Sequence, residues 1–218
     1  MVSLLDSVHE HLTPAFIHET SRWLAEDDHA TAKALGAWSA AILAGTLNYA
    51  DHTKAIHRIY DHLGHFPPNI MENPETLLRH GNLAQNDPKD VSGHLMGQLF
   101  GEKIHPLTNA IAAFSGLSVK GVSEMLGVAA PIVLSILGKR VQASSLTVAG
   151  LSNMLHADQD RILAAVPGGL MSIMGVREMP PAASTDPQPA TGRQWAWALV
   201  LLAALGGCLL LIFRWYEN

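Results

Sequence analysis

Histidine is the residue of this chain best suited to chemistry: twelve occur in 218 residues, grouped as His9/His11/His18, His52/His57 and His62/His65 among others. An imidazole that titrates near neutrality can bind a metal, relay a proton or switch a surface with pH. A metal site needs more than abundance. HExxH is missing, since His18-Glu19 is followed by Thr20, Ser21 and Arg22, and zinc sets of the Cys/His kind need cysteines, whereas the single cysteine is Cys208. Two-residue spacing turns His9 and His11 to different faces of a helix, while His62 and His65 share one. The histidines therefore read as solvated polar faces, with Asp61 near His57 and Asp51 near His52 as local pairs.

The other candidates fare no better. No G-x-S-x-G turn is present to raise a serine nucleophile, and neither a Walker loop nor a GxGxxG occurs. Gly93, Gly97 and Gly101 fall on one helical stripe, where missing side chains would let a second helix approach. Glu26, Asp27 and Asp28 read as a helix terminus in solvent. No residue is assigned to catalysis, a cofactor or a metal.

The elements around these residues are helical. Val122, Met125, Leu126, Ala129, Ile132, Val133, Ile136 and Leu137 recur at helical spacing on one apolar face, with Ser118 as N-cap and Lys139 and Arg140 at the far end, where cations complement the helix dipole. Pro131 predicts a kink or junction, eased because the carbonyl it crowds belongs to Gly127. Thr13-Pro14 marks another start, leading into Phe16, Ile17, Trp23 and Leu24. The predicted core comprises Leu126, Ala129, Ile132, Val133 and Ile136 with Trp23, Leu35, Trp38 and Ile42. Displacing the chain by 91 residues lays Trp23 on Phe114, Leu35-Gly36 on Leu126-Gly127, Ile42-Leu43 on Val133-Leu134, Tyr60 on Leu151 and Leu63 on Met154 without a gap. This predicts two related halves, roughly residues 12–65 and 103–156. Turn signals crowd the connection, with at most a short helix after Asn73.

Residues 1–176 form the helical domain, and residues 177–194, rich in Pro, Ala, Ser and Thr, form a linker of polyproline character. From Trp195 to Phe213 the chain is uncharged, bounded by Arg193 and Arg214, with Trp195 and Trp197 at one rim and Trp215 and Tyr216 at the other. At ~1.5 Å per residue that length spans a ~30 Å hydrocarbon core, so residues 195–213 read as a single transmembrane tail anchor. Asp6, His9, Glu10 and His11 interrupt any secretory signal, which predicts an inner-membrane, single-pass protein with its bulk in the cytoplasm. Acidic residues outnumber Lys and Arg by 16 to 11 up to Gly175, and the cations form no stripe. Nucleic acid is therefore an unlikely partner.

The segment from Gly93 to Leu170 resembles the YidB-like bacterial family of unassigned function. Its glycine-spaced opening (Gly93, Gly97, Leu99, Phe100, Gly101), its helix pair (Gly116, Leu117, Ser118, Val122, Leu126, Ala130, Pro131, Leu137, Gly138, Lys139) and its closing Gly150, Leu151 and Leu155 carry the likeness. The resemblance implies an all-α domain containing a homeodomain-like three-helix arrangement. Some similar proteins add a membrane span and a peptidoglycan-binding OmpA-like domain, for which nothing corresponds before Asn218, so a cell-wall role is not expected. DNA binding is not expected either, because the would-be recognition segment LTVAGLSNML has no Arg or Lys. The expected function is a membrane-tethered helical interaction or scaffold module acting by protein–protein contact, with homo-oligomerisation open to it through Ala203 and Gly207 in the anchor. The alternative is a cryptic hydrolase or His-dependent metal enzyme.

Overall fold

A computed structural model describes residues 3–64, 70, 74–78 and 88–175. The chain divides into two units, Met1–Glu178 and Met179–Asn218, and every described residue belongs to the first. The linker 177–194, the anchor 195–213, Cys208, His65 and His80 lie outside the described residues.

Among the described residues ten α-helices follow one another: α1 (Leu4–His11), α2 (Pro14–Leu24), α3 (Asp28–Asn48), α4 (Thr53–Leu63), α5 (Pro88–Phe100), α6 (Ile104–Ser115), α7 (Val119–Ala143), α8 (Val148–Ala157), α9 (Gln159–Ala165) and α10 (Leu170–Met174), with short 3-10 turns at Pro74–Leu78 and Gly101–Lys103. No strand occurs among the described residues. Side chains begin five of them. Ser3 caps α1 in a capping box with Asp6, Thr13 precedes Pro14 and accepts from Phe16 N–H, Asp27 accepts from Ala30 N–H, Ser118 from Gly121 N–H and Thr147 from Gly150 N–H. Each cap satisfies a backbone donor that the helix itself leaves without a partner.

α3 and α7 lie side by side at the centre; α5 packs on α7, while α6 and α9 pack on α3. From Val128 to Gly138, α7 is buried on every side. It is the one described helix long and apolar enough to cross a membrane, with a mean hydropathy of 1.7 over its best window, 78% of which is buried inside the domain. Here that apolarity builds a protein core. α7 also continues through Pro131 as one helix, so of the predicted kink or junction the junction does not form.

Ala129, Ile132, Val133, Ile136, Leu35, Trp38 and Ile42 are buried as predicted. Leu126 and Trp23 are only half-buried, packed against the core edge. The reason is local: before Val128, α7 is covered on one face, and Leu126 stands on its shoulder. The glycine stripe is corrected too. Gly93, Gly97 and Gly101 are exposed, and a Cβ on any of them would meet nothing within 4 Å, so no helix approaches there; Gly101 ends α5 with φ +52. Close approach occurs instead at Gly138, where a Cβ would stand 2.8 Å from the Leu63 carbonyl oxygen, and at Gly45, 2.8 Å from the Phe100 ring.

The helix bounds recur along the chain. α2 and α3 shifted by 91 residues fall on α6 and on the start of α7, and Leu4 and Val8 of α1 fall on Leu95 and Leu99 of α5, all four buried. The gapless register then fails. α7 has 25 residues against 21 in α3, one turn more, and the N-cap positions His52 and Thr147 lie 95 apart, so Tyr60 and Leu63 are not level with Leu151 and Met154.

Candidate functional site

Three clusters gather polar groups. The first is at the α2–α3 corner. Ala25 adopts the left-handed conformation at φ 57 and folds the chain back, which brings Asp28 onto the last turns of α2. Asp28 Oδ2 lies 2.9 Å from His18 Nδ1, and its Oδ1 accepts a short hydrogen bond from the buried Ser21 hydroxyl, which also donates to the His18 carbonyl at 2.9 Å. The Ser21 bond first, then His18, holds the Asp28 carboxyl below its ordinary range. Serine, acid and histidine thus meet, which no local motif announces, but in the wrong order. Nucleophilic catalysis needs the imidazole on the hydroxyl and the carboxylate behind the imidazole. Here the carboxylate sits between them and His18 cannot take the Ser21 proton; the cluster locks a helix corner.

The second cluster is His156, whose Nε2 lies 2.9 Å from Asp51 Oδ1 and whose Nδ1 lies 3.4 Å from Gln159 Oε1. Asp51 therefore pairs across 105 residues with the end of α8 and not with His52, whose ring instead meets Tyr49 at 6.0 Å. The hydrogen bond that His156 donates to the Asp51 carboxylate raises the His156 pKa above its ordinary value. A group with a raised folded pKa contributes stability that is fully present below the unfolded pKa of about 6.5 and is lost as pH rises through the folded pKa. NMR titration should place the His156 midpoint above that of an unstructured histidine, and Asp51→Asn should lower it. An unchanged midpoint in Asp51→Asn would remove the pair as the cause.

The third lies between α1 and the last turns of α7, where Arg140 Nη2 donates to Ser7 Oγ at 2.8 Å and His11 Nδ1 lies 2.8 Å from the Ser7 carbonyl oxygen. Lys139 lines the same cleft. The sequence marks these cations only as dipole partners of α7, because α1 supplies the opposite wall from more than a hundred residues away.

Several other polar side chains fasten one helix to another element. Glu26 accepts from the Ser118 N–H and hydroxyl at 3.2 and 2.5 Å, so the α2–α3 corner caps α7. Asp158 accepts from Leu4 N–H at 2.7 Å, Tyr60 donates to the Leu146 carbonyl at 2.8 Å, and Lys103 donates to the Met174 carbonyl at 2.7 Å. Among the described residues, no three His, Cys, Asp or Glu side chains converge as a metal would require.

The sequence profile of a family described as bacterial protein of unknown function (DUF937) matches residues 6–140. The likeness begins at α1 and ends within α7, and is not centred on residues 93–170. Glycines make the later segment conspicuous, whereas α3 carries its pattern in Ala and Leu, which any apolar helix could share. No curated protein and no solved structure matches the chain.

Proposed function

Because the chain belongs to the DUF937 family of bacterial proteins, whose function is unknown, its action has to be argued from its own residues, and we propose that it is a membrane-tethered, non-enzymatic interaction module. The observation that carries this reading is the use of its polar side chains. Glu26, Ser118, Asp158, Tyr60, Lys103, Ser21 and Asp28 all hold helix to helix or corner to corner. Such groups fix a shape, and the Ser21, Asp28 and His18 grouping is not in catalytic order.

The tether is the uncharged stretch from Trp195 to Phe213 with its aromatic rims, which would hold the helical domain to the inner membrane on the linker 177–194 with its bulk in the cytoplasm. The domain itself is read as two related halves, supported by the 91-residue recurrence of α1–α3 in α5–α7. Its α6–α7–α8 run, joined by short connections, is read as the homeodomain-like three-helix arrangement. Confinement to a membrane raises effective concentration and turns a feeble protein contact into a persistent one. The partner is a second copy of the chain or another protein.

Truncation after Arg193 should move the protein from carbonate-washed membranes to the soluble fraction, and the detergent-solubilised full chain should run as more than a monomer or retain a defined partner. Retention of the truncated form in membranes would sink the tether. A strict monomer that turns over a small molecule would replace the module with an enzyme.

A further inference from the structure

α1 and the end of α7 enclose a surface cleft of about 270 Å³. Its floor is Ile136, and Ser7, Glu10, His11, Lys139 and Arg140 surround it. The Ser7 hydroxyl pins the Arg140 guanidinium at 2.8 Å, and His11 Nδ1 lies 2.8 Å from the Ser7 carbonyl oxygen. Lys139 is exposed, and among the described residues no carboxylate lies within ion-pair distance of it.

The equivalent place in the other half, 91 residues away, is built from the same backbone parts with different chemistry. Ser7 and Arg140 correspond to Gln98 and Tyr49, and the Tyr49 hydroxyl reaches the Gln98 carbonyl at 3.5 Å. Asn48 stands where Lys139 stands. The cleft beside Tyr49 measures only about 110 Å³, and the one cation lining it is Arg58 of α4. Cations near a helix C-terminus complement its dipole, yet α3 ends without them, and the dipole requires neither a cleft nor the wall that α1 supplies.

We propose that the α1–α7 cleft binds a phosphate-bearing ligand, with Lys139 and Arg140 as its donors and Ile136 beneath its apolar part. A carboxylate can be satisfied by one guanidinium fork, whereas an ammonium beside a guanidinium suits an anion with oxygens on several sides. Glu10 on the rim opposes the charge and sets the affinity below what the cations alone would give. The ligand is either a free phosphate ester or a phospholipid headgroup; the membrane reading above bears on that source and not on the site.

Calorimetric titration of the full chain in a neutral detergent tests it with two probes, inorganic phosphate and a short-chain phosphatidylglycerol. Lys139→Gln should weaken binding about tenfold, Glu10→Gln should tighten it, and Lys54→Gln, an exposed lysine elsewhere, should leave it unchanged. Binding of both probes identifies a phosphate ester as the ligand class; binding of the lipid alone identifies a headgroup. The proposal falls if neither probe binds, or if Lys139→Gln and Lys54→Gln lower affinity equally, since that is the behaviour of general surface charge.

Discussion

Trp38→Ala should destabilise the domain by ~3–5 kcal/mol, as large-to-small changes of buried aromatics do. Trp38 is fully buried in α3, and its indole N–H donates to the Val122 carbonyl of α7 at 2.9 Å. The substitution empties a volume at the contact of the two central helices and removes the one bond that fixes their relative register there. Trp38→Phe separates the effects, because it keeps most of the ring and deletes the donor, for which about 1 kcal/mol is expected. Leu126→Ala is the control: Leu126 is half-buried, so its loss should stay under about 2 kcal/mol. Urea unfolding followed by circular dichroism reads all three. A Trp38→Ala loss no greater than that of Leu126→Ala would mean that α3 and α7 do not pack as described.

Gly138→Ala should also destabilise, against the trend for glycine in a helix. Exchanging a helical glycine for alanine ordinarily gains ~0.5–1 kcal/mol. At Gly138 the new methyl would stand 2.8 Å from the Leu63 carbonyl oxygen, a backbone atom that can yield only if the end of α4 moves. Overpacking of this kind costs ~1–3 kcal/mol, which exceeds the gain. Gly36→Ala in α3, where nothing lies within 4 Å of the new carbon, should show the ordinary stabilisation. The opposite signs of two identical substitutions are the measurable outcome; stabilisation at both sites would mean that α4 does not touch α7 at Gly138.

The helices were legible where chemistry marks their ends. Thr13-Pro14 and Ser118 each carry a start signal that the structure uses. Burial around a helix was less so: one apolar stripe predicts one buried face, but α7 is surrounded from Val128 to Gly138 and open before it, and that depends on where α5 and α1 land. The glycines misled for the same reason. Gly93, Gly97 and Gly101 share a stripe in sequence and meet nothing, whereas Gly138 belongs to no stripe and admits a carbonyl. The polar clusters were not legible at all. His18 and Ser21 are three apart on one helix, but Asp28 reaches them through a left-handed alanine, a conformation that alanine does not advertise. The α1–α7 cleft joins residues more than 120 positions apart, beyond any spacing rule.

The recurrence of α1–α3 in α5–α7 has a consequence for molecularity. α3 and α7 pack on each other at the centre of the domain, so under the two-half reading proposed above one half on its own would expose its side of that contact and would need a second half to cover it. Separate halves would meet as a bimolecular complex, whose folded fraction falls as the protein is diluted. Joined in one chain they face an effective concentration of order millimolar however few copies a cell holds. Assembly of the core is thereby independent of expression level.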